Sequence, residues 1–382
     1  MKKLFAFALL GALFGCTASE NLVCIKTSDF GTTKTGEKAS LFTMCGKDGM
    51  QLVVSDFGGR VVKCLVPDRA GQLGDVTLGW NTVEEYEKNG FCVGTLIGRF
   101  GNRIADGKFS IDGTEYQLAL NETKPAPRHC NLHSGPEGWD AKVWKATPIV
   151  TDDVCSLRLE LVSPDGDMGF PGEVKATVTY SVLPGNVWRI EYEATTDKPT
   201  IINLTHHSYW NLAGEASGSV LKQHLRVFAD QYTQTDDGLI PTVNAPVAGT
   251  GFDFTELRPI DGKAEWMAAE KSIACTDNWY DHNFVLRGEM GTLHPAAEMY
   301  DPESGRVMTI LTTEPCMQMY GAQNMTTALA AKAEGKTLCQ FAGIALETQH
   351  YPDSPNHPEF PSTVLRPGET YRSTSEYHFS VR

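Results

Sequence analysis

The sequence predicts an all-β fold, a large antiparallel sandwich built as one domain. Three observations carry that expectation. Alternation at the strand period of two recurs along the chain, helical periodicity is scarce, and short turns rich in Gly, Pro and Asp separate the alternating runs. The length of 382 residues and the hydrophobic content of 41% are enough to bury a large core. Large β folds often exceed the usual domain length as one unit, and beyond residue 37 no low-complexity linker or fixed-period repeat breaks the pattern.

Taken in order, the elements begin with an export signal. Lys2 and Lys3 precede an apolar stretch over residues 4–14, which is too short to span a bilayer. It ends on Leu13-Phe14-Gly15-Cys16, similar to a bacterial lipobox, so residues 1–15 are expected to be removed and Cys16 to carry the lipid. Phe14 is bulkier than the usual residue there, and cleavage without lipidation is the alternative. The protein is then exported, periplasmic or lipid-anchored, and touches a membrane only through that anchor. Residues 16–37 read as a tether and residues 38–382 as the folded domain. Thr82-Val83-Glu84-Glu85 has the spacing of a capping box and predicts one short helix. Phe109-Ser110-Ile111 and Glu115-Tyr116-Gln117 flank Asp112-Gly113-Thr114, which predicts a hairpin. Residues 176–182, with Val178, Tyr180 and Val182 on one face, predict a strand, as do residues 187–194 and 308–312. Residues 327–333 are expected to form a second short helix.

Composition excludes several classes of function. The net charge is −14 and there is no block of Lys and Arg to neutralise phosphates, so no nucleic acid partner is expected. The acidity suits a neutral or cationic small ligand. The 10 cysteines are scattered without a C-x-x-C pair, which argues against a zinc knuckle or redox motif. Most are expected to be small buried hydrophobes. A monomer is favoured.

Three segments draw chemical interest. In Phe341-Ala342-Gly343-Ile344-Ala345-Leu346-Glu347-Thr348-Gln349-His350 an apolar strand reaches a carboxylate. Glu347 either marks where the strand meets solvent or is a buried charge that is paired or used, since burying it otherwise costs several kcal/mol. In Asn203-Leu204-Thr205-His206-His207-Ser208-Tyr209-Trp210 the adjacent histidines would point to opposite faces of a strand, so both cannot easily bind one metal. A neutral histidine can serve as an acid or base near pH 7. Gly98-Arg99-Phe100-Gly101-Asn102-Arg103 puts glycines beside Arg and Asn but lacks the spacing of a phosphate loop. Asn131-Leu132-His133-Ser134-Gly135, Tyr280-Asp281-His282-Asn283-Phe284 and Met317-Gln318-Met319-Tyr320 each add polar groups that are unremarkable singly.

Together these segments resemble the aldose 1-epimerase (galactose mutarotase) family. The motifs GRFGNRI, NLHSG with a following GWD, NLTHHSYWNLAG, DGLIPT, YDHNF, Gln318, ALETQHYPDSPN and FPSTVLRPGETY occur in the family's order, from about residue 40 to residue 379. The resemblance implies a β-supersandwich, an unmodified aldohexose as substrate, and neither cofactor nor metal. It puts the general base on Glu347 and the general acid on His207. It puts sugar binding on Asn102, Arg103, His133, Asp281 and Gln318. The departures are Ser134 where the family usually has Gly, Gly101 where it has Ala, and His206 where it has Asn.

The residue types suit the reaction. Mutarotation takes a proton from the C1 hydroxyl while the ring oxygen gains one; the ring opens, C1 turns over, and the ring closes on the other face. General acid–base groups typically contribute ~10²–10⁴-fold to such a step. Trp210 or Tyr320 would lie against the apolar face of the sugar. Hydrogen-bond reach to two oxygens on one carbon puts Glu347 and His207 within about 8 Å, at ~5–8 Å. Competing readings are a hexose-6-phosphate 1-epimerase, which needs a cationic pocket, a glycoside hydrolase using Asp281 and Glu347, and a non-catalytic sugar-binding protein.

Overall fold

The computed structural model describes residues 22–124, 126–261, 279–325 and 329–382. The expected signal segment, Cys16 and Cys275 lie outside the described residues. Three antiparallel sheets carry most of the fold. The first is a five-stranded meander of Cys24–Thr32, Lys38–Cys45, Gln51–Ser55, Val61–Pro67 and Leu73–Asp75. The second has nine strands. Lys145–Val150 forms one edge, followed by Cys155–Ser163, Val174–Leu183, Val187–Thr196 and the C-terminal Tyr371–Val381. Arg306–Thr312, His294–Tyr300, His224–Val227 and Arg258–Pro259 complete it. The third sheet has six strands and carries the functional face described below. One continuous apolar cluster draws on all three: Phe42 and Leu52 from the first, Val178 and Trp188 from the second, Phe284, Met317 and Leu346 from the third. Period-two alternation in each strand sends one set of side chains into this core.

The expected hairpin forms as Lys108–Ile111 and Thr114–Gln117, with Asp112 and Gly113 both at positive φ as a tight two-residue turn requires. The expected helix forms as Val83–Asn89. The Thr82 hydroxyl accepts from the Glu85 N–H at 3.2 Å and the Glu85 carboxylate accepts from the Thr82 N–H at 3.1 Å.

Two expectations are corrected. The tether over residues 16–37 is not one in its second half, because Cys24–Thr32 pairs along its length with Lys38–Cys45. It is an edge strand with mostly exposed side chains, and so lacks the apolar alternation that would have marked it. The helix expected over residues 327–333 starts outside the described residues, and its described part is a strand, Leu329–Ala330, paired with Thr337–Leu338. Alanine content favours helix there, but Lys332 overrides it. Its ammonium is buried, donates to the carbonyls of Val62 and Thr77 at 2.6 and 2.7 Å, and meets Asp75 at 2.8 Å. No helix among the described residues is long and apolar enough to cross a membrane.

Candidate active site

The six-stranded sheet runs in the order Tyr209–Trp210, Ile344–Gln349, Cys316–Tyr320, Asp281–Leu286, Ala229–Thr235, Pro241–Pro246. Its register builds half of the site. Glu347 stands opposite Gln318, and Gln318 opposite Asn283, so three polar side chains form one row. Two residues along on the same face, Tyr209, Ala345, Tyr320 and Asp281 form the next row. Trp210, one residue from Tyr209, falls on the other face and packs against Tyr377 and Phe379 in the core. Tyr320 and Tyr209 therefore line the cavity and Trp210 does not, and the expectation for Trp210 is corrected by the same alternation.

Loops supply the other half. His207 is held by backbone bonds on both sides: its N–H donates to Thr95 O at 2.9 Å, and its carbonyl accepts from Gly94 N–H at 2.8 Å. Asn102 lies at φ 67 and His133 at φ 52, left-handed backbone that Asn and His adopt more readily than most residues. The Asn102 N–H donates to His133 Nδ1 at 3.1 Å, and the His133 N–H to Asn102 O at 3.1 Å. Ser134, the departure from the family's usual Gly, fastens this loop. Its hydroxyl accepts from Phe100 N–H at 2.7 Å and donates to Phe100 O at 3.2 Å. Arg103–Ala105 pairs with Cys130–Leu132, placing Arg103 opposite Leu132.

These halves enclose a cavity of about 240 Å³, lined by Asn102, Arg103, His133, His207, Asp281, Gln318 and Glu347. All seven residues singled out from the sequence converge there. Glu122, Arg128, Phe91, Cys92, Tyr209 and Asn324 also line it and were not singled out. Tyr209 was detectable, since it lies two residues from His207 on the same side; the loop residues left no local signal. A larger cleft of about 640 Å³, lined by Lys222, Asp301 and Glu303 among others, shares none of these residues and contains no histidine.

Glu347 and His207 are both buried, and His207 Nε2 lies 3.5 Å from Glu347 Oε1. The reading that Glu347 marks a solvent boundary is thereby overturned. The separation is also shorter than the expected ~5–8 Å. That range assumed that the two groups approach the C1 hydroxyl and ring oxygen from opposite sides. At 3.5 Å the two groups stand side by side instead. Burial, and then the charge of Asp281, pushes the Glu347 carboxyl well above the ordinary carboxylate range, with Arg103 opposing. Burial lowers His207 to about 4, against smaller raising effects of its backbone and Asp281. Glu347 Oε2 and Gln318 Oε1 are buried without a partner among the described residues. Such acceptors cost about 1–3 kcal/mol each if left unsatisfied, so they are places for ligand hydroxyls.

Each Asp281 oxygen accepts one bond, Oδ1 from Gln318 Nε2 at 2.6 Å and Oδ2 from Arg103 Nη2 at 3.3 Å, which fixes the carboxylate and leaves a lone pair on each oxygen for a hydroxyl. His206 faces away from the cavity, as expected for a strand neighbour. Its ring packs edge-on to Trp188 at 5.0 Å and its Nδ1 meets Ser208 Oγ at 3.1 Å. The substitution at 206 therefore lies in the core behind the site.

His133, His207 and Glu347 place three potential ligand atoms within 4.8 Å of one another. The tautomer of His133 works against a metal. Its Nδ1 accepts from the Asn102 N–H, so the neutral ring carries its proton on Nε2. Ligation through Nε2 would require moving that proton to Nδ1, against the Asn102 N–H. Burial, then His207 and Arg103, hold His133 well below its ordinary pKa, so it is a neutral Nε2–H donor.

The comparisons agree with this architecture. Residues 40–378 match the family model described as aldose 1-epimerase. The chain is 37% identical to the galactose mutarotase of Homo sapiens over 335 residues, covering 87% of this chain and 92% of the relative. It is 35% identical to the aldose 1-epimerase of Escherichia coli (strain K12) over 347 residues, covering 90% and 96%. The crystal structure of galactose 1-epimerase from Lactobacillus acidophilus NCFM superposes with a TM-score of 0.81 at 25% identity, covering 94% of this chain and 99% of that one.

Proposed function

The chain belongs to the aldose 1-epimerase family and is an isomerase that interconverts the α and β anomers of free aldohexoses; we propose that Glu347 is the general base of that reaction and His207 its general acid. The observation that carries the assignment is the buried 3.5 Å approach of His207 Nε2 to Glu347 Oε1 on the cavity wall. The pair works with one proton between its two members. With the carboxylate free and the imidazole protonated, Glu347 takes the proton of the C1 hydroxyl and His207 gives one to the ring oxygen. The C1–ring oxygen bond breaks and an aldehyde forms. After rotation about C1–C2 both protons return and the ring closes on either face. Burial raises the Glu347 carboxyl and lowers the His207 imidazole, so the titration belongs to the pair.

Asn102, Arg103, His133, Asp281 and Gln318 hold the sugar hydroxyls and keep the open chain in place for closure. His133 donates from Nε2, Gln318 Oε1 accepts, and Tyr320 offers a ring face. A glycoside hydrolase is disfavoured because Asp281 is tied to Arg103 and Gln318 and is not free to act as acid or nucleophile. A phosphosugar is disfavoured because Arg103 and Arg128 both pair with Glu122. The test is polarimetry: a freshly dissolved pure anomer of glucose or galactose should drift to equilibrium faster with the protein than without it. Acceleration of no free aldohexose would defeat the reading.

We further propose export, with the mature chain beginning at a lipid-bearing Cys16. The support is Lys2-Lys3, the apolar run and Leu13-Phe14-Gly15-Cys16. One acyl chain binds membranes only marginally, so stable anchoring needs more than one. Mass spectrometry of the mature N-terminus should find a lipidated Cys16; an unmodified peptide starting at Ala18 or later would sink it.

A further inference from the structure

Arg103 is buried on the cavity wall, and most of its donors are already used. Nε donates to Glu122 Oε2 at 2.6 Å, and Nη2 donates to Glu122 Oε1 at 3.1 Å and to Asp281 Oδ2 at 3.3 Å. Nη1 is the guanidinium nitrogen left without a protein partner among the described residues. Glu122 is itself fastened. Arg128 Nη1 donates to Oε1 at 3.2 Å and the Cys130 thiol to Oε2 at 3.3 Å. Its backbone exchanges two bonds with Cys130, from Cys130 N–H at 3.1 Å and to Cys130 O at 3.3 Å. Cys130 pairs in turn with Ala105, so Glu122 rides on the same small sheet that carries Arg103.

We infer that Glu122 is a positioning residue: it docks Arg103 edge-on against the wall so that only the Nη1 amino group faces the sugar. The planar fork of a guanidinium matches a carboxylate in one bidentate orientation, which fixes the third nitrogen in direction as well as place. A second consequence is electrostatic. Arg103 is the cation that opposes the upward push on Glu347, and Glu122 offsets part of its charge. Glu122 therefore lets Arg103 bind hydroxyls without drawing the base down toward an ordinary, weaker carboxylate. Burial alone would raise Glu122, but the charge and hydrogen bonds of Arg103, joined by the Cys130 thiol and the charge of Arg128, together outweigh it and hold the carboxyl below its ordinary range.

The inference rests on the sugar-binding reading of this cavity, and two readouts separate it from turnover. In the full chain, Glu122→Gln keeps the shape and loses the charge. It should raise KM, and weaken galactose affinity by calorimetry, roughly five- to tenfold. It should also move the pH profile of kcat/KM to lower pH by roughly half a unit. Glu122→Asp keeps the charge but cannot span both guanidinium nitrogens; it should weaken affinity and leave the profile in place. If the wild type binds sugar without turnover, the function fails while the affinity loss still supports Glu122. Wild-type affinity and profile in Glu122→Gln would overturn the inference. So would a loss of kcat alone, which is what a structural role gives.

Discussion

The two halves of the cavity hold their groups by different means. On the sheet side, Glu347, Gln318 and Asp281 stand on neighbouring strands in continuous register, and each position follows from the ladder. On the loop side, Asn102, His133 and Arg103 are held by left-handed backbone, by the mutual Asn102–His133 bonds, by Ser134 and by Glu122. His207, the proposed acid, joins the halves: its backbone bonds to the Gly94–Thr95 loop and its ring reaches Glu347. The difference assigns tasks. The rigid ladder carries the proposed base, whose placement relative to the reacting oxygens must be close. The loops carry the donors proposed to recognise the rest of the sugar.

The comparison can be broken first at its junction. Replacing His207→Asn removes the acid but keeps a polar group, and kcat should fall by ~10²–10⁴-fold with a much smaller change in KM. A KM effect with intact kcat would move His207 to the binding side. Next comes pH. The one-proton pair gains a second proton on His207 at about 4, and loses its only proton through the raised Glu347 carboxyl. The profile of kcat/KM should therefore be a bell, falling below about pH 4 and again above a limb higher than the ordinary carboxylate range, up to about tenfold per pH unit. A single limb near pH 4 with no alkaline fall would show that Glu347 is not raised. On the loop side, His133→Ala should raise KM roughly tenfold and lower kcat less, by steady-state kinetics. A purely catalytic loss would erase the division of labour. The smallest effect is expected from exhaustive chelation, which should leave the rate unchanged. Restoration by one added divalent ion would overturn the tautomer argument at His133.

The sheet side was the more legible part of the sequence. Strand alternation alone places Glu347 on the face opposite Leu346, and separates His207 from His206 and Tyr209 from Trp210. Overlooking that last step is what misassigned Trp210. Alternation could not pair the strands, so the row from Glu347 through Gln318 to Asn283 became visible only in three dimensions. The loop side was legible through resemblance, where Asn102, Arg103 and His133 matched motifs. Glu122 and Arg128 matched none. They sit in a polar stretch whose purpose is set by a partner, Arg103, that a local reading cannot supply. Cys24–Thr32 was missed for the related reason that an edge strand buries little and so shows little pattern.

The most direct test of the account is the Glu347→Gln variant, followed by polarimetry beside the wild type at equal concentration, with sugar affinity measured on the same samples. Gln keeps the shape and hydrogen-bonding reach of the side chain and loses only the base. The account predicts that the variant brings a pure anomer to equilibrium no faster than buffer, while binding the sugar within about tenfold of wild type. Near-normal turnover by the variant would contradict it.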